Sequence, residues 1–172
     1  MRNTPAIVGL VVCVAVLGVA AFFYTGGSFP ALSYSPIENN VPSPSPVSFQ
    51  KIVSGTNSSV TKRVNYLITS PIQLKNLWLM IDAAETAPAI DFSKYVIVAV
   101  FAGQNPTTGY DIQISKIEDT ATARIVSLTL AKPDGNCITG QAVTAPYELV
   151  LVPATSLKFA HQDTWTTKTC AN

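Results

Sequence analysis

Few residues in this chain have the type and spacing to do chemistry. Its one histidine is His161. Nucleophilic catalysis sets a nucleophile beside a base that a third group orients, and His161 would have to serve alone as that base. No Gly-x-Ser-x-Gly elbow, Gly-rich phosphate loop, Cys-x-x-Cys or His-Glu-x-x-His motif occurs. Asp82, Glu85 and Asp91 lie close in sequence, but their spacing matches no calcium loop, and exposed carboxylates are the ordinary outcome. The pattern points away from an enzyme, a metal site, a cofactor and a small-molecule substrate. The formal net charge of +1, with no block of like charges, leaves no electrostatic footprint for nucleic acid.

Recognition chemistry is better represented. The stretch Asn105-Pro106-Thr107-Thr108-Gly109-Tyr110 combines a proline that fixes φ, a glycine free to take positive φ, and two threonines that can bond local backbone. Such composition makes either a strand-turn-strand corner or a rigid polar loop of the kind that carries binding sites. Tyr95 to Ala102 leads into it as a continuous apolar run, the mark of a strand buried on both faces. Tyr110 to Ser115 leads out with the alternation of a half-buried strand.

The elements around this loop follow in order. Ala6 to Tyr24 is an unbroken apolar run, and about 17–25 such residues span a bilayer. Arg2 lies on its N-terminal side, which favours an N-in orientation. Cleavage after Gly18-Val19-Ala20 is the alternative, but the run continues past that site. Cys13 has no lipobox before it and reads as an apolar residue in lipid. The expected order is a cytoplasmic N-terminus at 1–5, a transmembrane signal-anchor at 6–24, a Pro/Ser-rich linker at 25–47 and an extracytoplasmic domain at 48–172. The linker holds Pro30, Pro36, Pro42, Pro44 and Pro46, a composition that favours extended geometry over a packed core.

Within the outer domain, Phe49–Val53 and Arg63–Ile68 read as strands. Ser70, Pro71 and Gln73 then form a helix start with a capping box. Ile72, Leu74, Leu77, Trp78 and Ile81 share its apolar face, with the end near Asp82. Asp91 caps the turn before Tyr95. Beyond the loop, Ile112, Ile114 and Ile117 point largely inward. Arg124–Ala131 is the next strand, Pro133-Asp134-Gly135-Asn136 a turn, Tyr147–Val152 a further apolar strand and Leu157–Ala160 a short last one. The expected fold is mainly β with some α: a small antiparallel sheet or partly open barrel with one covering helix. Cys137 and Cys170 are the cysteines outside the apolar run. In an oxidising compartment they are expected to pair and hold the polar tail Asp163–Thr169 to the sheet.

Asp91-Phe92-Ser93, the apolar strand, Gly103, Pro106 to Tyr110, Pro133, Cys137 and Ala145-Pro146-Tyr147 together resemble the C-terminal domain of PrcB-type protease-complex subunits. That family usually has Thr-Gly-Gly-Tyr, from which Thr108 departs. The resemblance covers Ser48 to Phe159. It implies a membrane-anchored binding module that assembles or stabilises a cell-surface protease complex, with a protein partner such as a cell-surface protease. The recognition surface it suggests joins Asn105, Pro106, Thr107, Thr108, Gly109 and Tyr110 with Pro146 and Tyr147. Asn105 to Tyr110 is also similar to the first binding loop of chagasin-like cysteine peptidase inhibitors. Their Gly-x-Gly-Gly and Arg-Pro-Trp or Arg-Pro-Phe loops are missing here, and Ala145-Pro146-Tyr147 stands nearest to the latter.

Overall fold

A computed structural model describes residues 43–81, 83 and 85–169. The expected anchor at 6–24, the linker as far as Pro42, Asp82 and Cys170 lie outside the described residues. Among the described residues no helix is long and apolar enough to cross a membrane.

Two four-stranded sheets face each other. The first has the order β1 (Ser45–Pro46), β5 (Asp111–Asp119), β6 (Ala123–Pro133), β8 (Lys158–Lys168). The second has the order β2 (Gln50–Gly55), β7 (Tyr147–Pro153), β4 (Tyr95–Phe101), β3 (Val64–Ile68). Helix α1 (Pro71–Met80) forms a third layer. The sequence expectation of a mainly β domain with one helix holds, but the architecture is a sandwich rather than a barrel, and β8 runs parallel to β6.

The two faces of β4 explain the layering. Val96, Val98 and Val100 point between the sheets, where they meet Ile112 and Ile114 of β5 and Val126, Leu128 and Leu130 of β6. Ile97, Ala99 and Phe101 point the other way, onto Leu74 and Leu77 of the helix. A strand covered on both faces needs an apolar residue at every position, which is the pattern of Tyr95–Phe101. In β5 the inward residues change spacing after Ile114. A register shift between Ile114 and Lys116 adds one residue to the strand, so that Ile117 returns to the core.

The helix begins where its capping residues place it. Ser70 is the N-cap, accepting from the Gln73 amide at 3.4 Å, and Pro71 occupies the first turn. The Gln73 side chain reaches back to the Thr69 amide at 2.8 Å instead of the Ser70 amide. Leu74, Leu77 and Ile81 are buried as expected, but Ile72 is 75% exposed and Trp78 only half-buried. Ile72 lies in the first turn of the helix. The Trp78 indole N–H donates to the Glu85 carbonyl at 2.7 Å. Asp91 caps its turn as expected, accepting the Ser93 amide at 3.1 Å while its carbonyl receives the Tyr95 amide at 3.0 Å.

Both ends of the chain differ from expectation. Ser45 and Pro46, read as linker, pair with Asp119 and Glu118 as an edge strand, where a proline's missing donor is tolerated. The last strand is not a short Leu157–Ala160 piece. It extends through the polar tail to Lys168, paired with β6 from Ala123 to Pro133. Apart from half-buried Phe159 every residue of β8 is exposed, so backbone pairing holds it, together with ion pairs from Asp163 to Arg63 and from Lys168 to Asp111, and no apolar alternation could announce it.

Two charged side chains lie inside the sandwich. Glu148 is 1% exposed. It accepts the Ile114 amide at 2.5 Å, at the β5 bulge, and pairs with Lys51 Nζ at 2.5 Å. Arg124 is 3% exposed. Its guanidinium holds Asp119 with two bonds of 2.7 and 2.8 Å, donates to the Pro153 carbonyl and lies 5.6 Å from the Phe159 ring centre. Buried charges of this kind are tolerated because each is paired and hydrogen-bonded.

Candidate protein-binding site

At one end of the sandwich the connections are long. Residues 56–63 join β2 to β3, 102–110 carry the chain from one sheet to the other between β4 and β5, and 134–146 return it between β6 and β7. The central connection is tied to both neighbours. The Ala102 amide donates to the Pro146 carbonyl at 2.9 Å, and the Gln104 amide to the Thr61 carbonyl at 3.1 Å. Asn105 and Thr144 form an antiparallel bridge, with bonds of 2.7 and 3.0 Å. Such lacing satisfies backbone groups that a free loop would leave to water.

Glycines make the close approach possible. Gly103 has φ of 79°, and a Cβ there would stand 2.8 Å from the Arg63 amide nitrogen and from the Lys62 carbonyl carbon. Gly109 has φ of 96° and lies against the Pro133 ring. The positive φ expected of Gly109 is present, and Gly103 requires it as well.

The threonines play different parts. Thr108 Oγ1 accepts the Gly140 amide at 2.8 Å while the Thr108 amide donates to the Gly140 carbonyl at 3.1 Å. The Thr107 carbonyl accepts from the Thr144 hydroxyl at 2.9 Å, which occupies only Thr107's backbone. Asn105 turns its side-chain amide onto the Gly103 carbonyl at 3.0 Å. Gln104, Pro106 and Gly109 are exposed, whereas Asn105, Thr107, Thr108 and Tyr110 are half-buried.

Pro146 and Tyr147 are placed beside this loop but beneath the surface, and neither faces outward as the sequence reading had them. Tyr147 is 6% exposed. Its ring stacks on Phe101 at 6.0 Å and passes over Gly55, where a Cβ would come within 2.7 Å of the ring. Burial raises the Tyr147 phenol above its ordinary 10.0. These two residues support the loop from below. The sequence reading missed Gln104 on the loop itself, and Ile138 and Val143, which stand exposed on the neighbouring connection. Exposure of this kind depends on which segments cover which, so the residue types gave no signal.

Other expected sites are dispersed. His161 Nδ1 lies 2.9 Å from Asp163, a carboxylate that also receives two bonds from Arg63. The three are hydrogen-bonded together on β8 and at the residue before β3. Among the described residues no group of His, Cys, Asp and Glu converges to hold a metal. Cys137 is not a free thiol. Its sulfur lies 3.6 Å from the Lys168 carbonyl, two residues before Cys170.

Residues 96–153 match the family model described as PrcB C-terminal. The match agrees with the resemblance read from the sequence. The matched segment runs from the second residue of β4 to the last of β7. It therefore contains the central loop, the threonine lacing and the 134–146 connection, while β1 to β3, the helix and β8 lie outside it. No curated protein and no solved structure matches the chain.

Proposed function

We propose that this chain is a membrane-anchored, extracytoplasmic binding module that helps assemble or stabilise a cell-surface protease complex. The observation that carries the reading is the PrcB C-terminal match itself, because it spans the laced loop at the long-connection end. On this reading the module binds and does not catalyse, and exposed Gln104, Pro106 and the half-buried Thr107 meet the partner. The placement of β1 is consistent with a tether. It pairs with the last residues of β5, so the chain enters the domain at the end opposite the loop.

The test uses the full-length chain solubilised from its membranes. A Gln104→Ala, Thr107→Ala double variant removes side chains that lie outside the lacing, so its melting temperature should match wild type. It should capture less of the protease complex. Undiminished capture by a stably folded double variant rejects the loop as the contact. The anchor is checked by mass spectrometry of the mature protein, where an N-terminus at Ala21 would establish cleavage. The Cys137–Cys170 bridge, supported by the position of Cys137 beside Lys168, predicts that neither cysteine reacts with a thiol reagent before reduction.

A second reading has one observation in its favour. Loop-type peptidase inhibitors need neighbouring connections beside the first loop, and here 134–146 bonds to Asn105 and Thr108 while 56–63 bonds to Gln104, just before the loop. Titration of a papain-type peptidase with the full-length chain decides between the two. Inhibition that the double variant abolishes would place the inhibitor reading first.

A further inference from the structure

We propose that β8 is a dimerisation edge: two copies of this chain pair their β8 strands antiparallel about Gln162 and join their four-stranded sheets into one. The pairing uses a side of the sandwich and does not depend on the loop. Four of the described strands form sheet edges. Three are blunted in ways that natural proteins use against unwanted pairing. β1 is two residues ending in Pro46, β2 carries an irregularity between Lys51 and Val53, and β3 has only five residues. β8 has eleven, without proline, in unbroken register with β6. No described strand lies on its other side. Its outward backbone N–H and C=O groups therefore form the template that another strand needs.

An unfilled crevice opens beside that edge. Leu67 is directly opposite Val98, whose side chain points between the sheets. Opposed residues share a face, so Leu67 faces the core, yet it is 39% exposed. With Val98, Val126, Phe159 and His161 it lines a crevice of about 240 Å³ between β3 and β8. An aliphatic cavity of about 150 Å³ holds a benzene ring, so this one has room for an aromatic side chain. Phe159, His161, Asp163 and Trp165 alternate onto one face of β8. Phe159 packs on the core, His161 lines the crevice, and Asp163 bonds to Arg63 beside β3. Trp165, next on that face, is 60% exposed.

The residues of β8 say which strand fits. Inward-pointing charges on an edge turn away an ordinary apolar strand, but a second β8 carries their complements. With Gln162 opposite its own copy, each Trp165 stands opposite the other copy's Phe159, at the mouth of the crevice. Each Asp163 then stands opposite the other copy's His161, and Thr164 opposite Ala160. Aromatic pairs stabilise an antiparallel ladder, and the carboxylate meets an imidazole instead of another carboxylate. Neighbouring registers lose this match. A shift of two residues one way sets Asp163 against Asp163 and Lys158 against Lys168, and like charges directly opposite are destabilising. The same shift the other way sets Phe159 against Asp163 and leaves Trp165 past the end of the facing strand.

The experiment uses the full-length chain with Cys13→Ser and Gln162→Cys, oxidised gently and run without reductant. Gln162 is exposed and lies on the axis. Opposed residues of an antiparallel pair stand about 4.5–5.5 Å apart at Cα, within reach of a disulfide. The expected product has twice the chain mass. Gln113→Cys in the same background, exposed on β5 of the same sheet, should give none. Adding Trp165→Asp should lower the yield at position 162 by about tenfold, with the far-UV circular dichroism unchanged. No product at 162, equal yields at 162 and 113, or an adduct at 162 only with a different protein each overturns the proposal. A yield at 162 that Trp165→Asp leaves undiminished in a folded chain also overturns it. Should Trp165→Asp unfold the chain, the contrast between positions 162 and 113 decides alone.

Discussion

The two ends of the sandwich solve the same problem in opposite ways. At the end where β5 turns into β6, the connection is Thr120–Thr122. Thr120 caps it, accepting the Ala123 amide at 3.0 Å and donating to the Ala123 carbonyl at 2.9 Å. Arg124 then gathers Asp119, Pro153 and Phe159 around one buried guanidinium. At the other end, long connections are laced together mainly through backbone groups, with Thr108 and Thr144 as the side-chain ties. The first end concentrates its cohesion in one side chain. The second spreads it over many bonds and leaves Gln104, Pro106, Ile138 and Val143 facing outward. Distributed backbone ties leave side chains free to face solvent, which a concentrated charge network does not.

Substitutions should reveal that contrast. The largest effect is expected from Arg124→Ala. It removes the partner of Asp119 and of the Pro153 carbonyl together, and because Asp119 keeps access to solvent the loss is expected to be about 2–3 kcal/mol, the worth of hydrogen bonds to a charged group. Denaturant unfolding of the full-length chain checks this, and a loss near 1 kcal/mol would show that the guanidinium is no keystone. Gly103→Ala comes next. It forces a side chain into left-handed backbone and against the Lys62–Arg63 peptide, a strain of about 1–3 kcal/mol. Its partner capture should fall further than its stability, because the shift is delivered directly to the loop.

Thr108→Ala should cost about 1 kcal/mol, the usual worth of one hydrogen bond, and Thr108→Ser should recover most of it because the acceptor to Gly140 is kept. If the serine variant behaves like alanine, the methyl against Gly140 matters more than the hydroxyl.

The smallest effects are in pH. The hydrogen bond from Arg124 holds the Asp119 carboxyl below its ordinary 3.8. Its stabilisation is therefore complete above that value and is lost as pH falls through the depressed pKa. Burial acts in the opposite sense on Tyr147. Its contribution is intact below 10.0 and is lost as pH rises through its raised pKa. Asp119→Asn should flatten only the acid limb of stability, and Tyr147→Phe only the alkaline limb. Curves that fail to separate in this way would mean that other groups control the limbs.

Much of the domain was written locally. Consecutive apolar residues in Tyr95–Phe101 require cover on both faces, and the structure supplies a sheet and a helix. Ser70, Pro71 and Gln73 start a helix wherever such a trio precedes an apolar face. Gly109 takes positive φ as its place in the turn demands. The Asn105–Tyr110 stretch was visible as a loop for the same reason, since proline and glycine act on their own backbone.

What only tertiary structure decided was which segments lie next to one another. Backbone pairing is indifferent to side-chain type, so polar β8 joined β6 without any pattern in Lys158–Lys168 to foretell it. Burial is likewise a property of neighbours. Tyr147 went beneath the loop because Gly55 and Phe101 leave room for its ring, and Ile138 stayed outside because nothing in the described domain covers it. Backbone preferences act over a few residues and can be read one at a time, whereas contact between Thr108 and Gly140, 32 positions apart, exists only once two sheets have closed on each other.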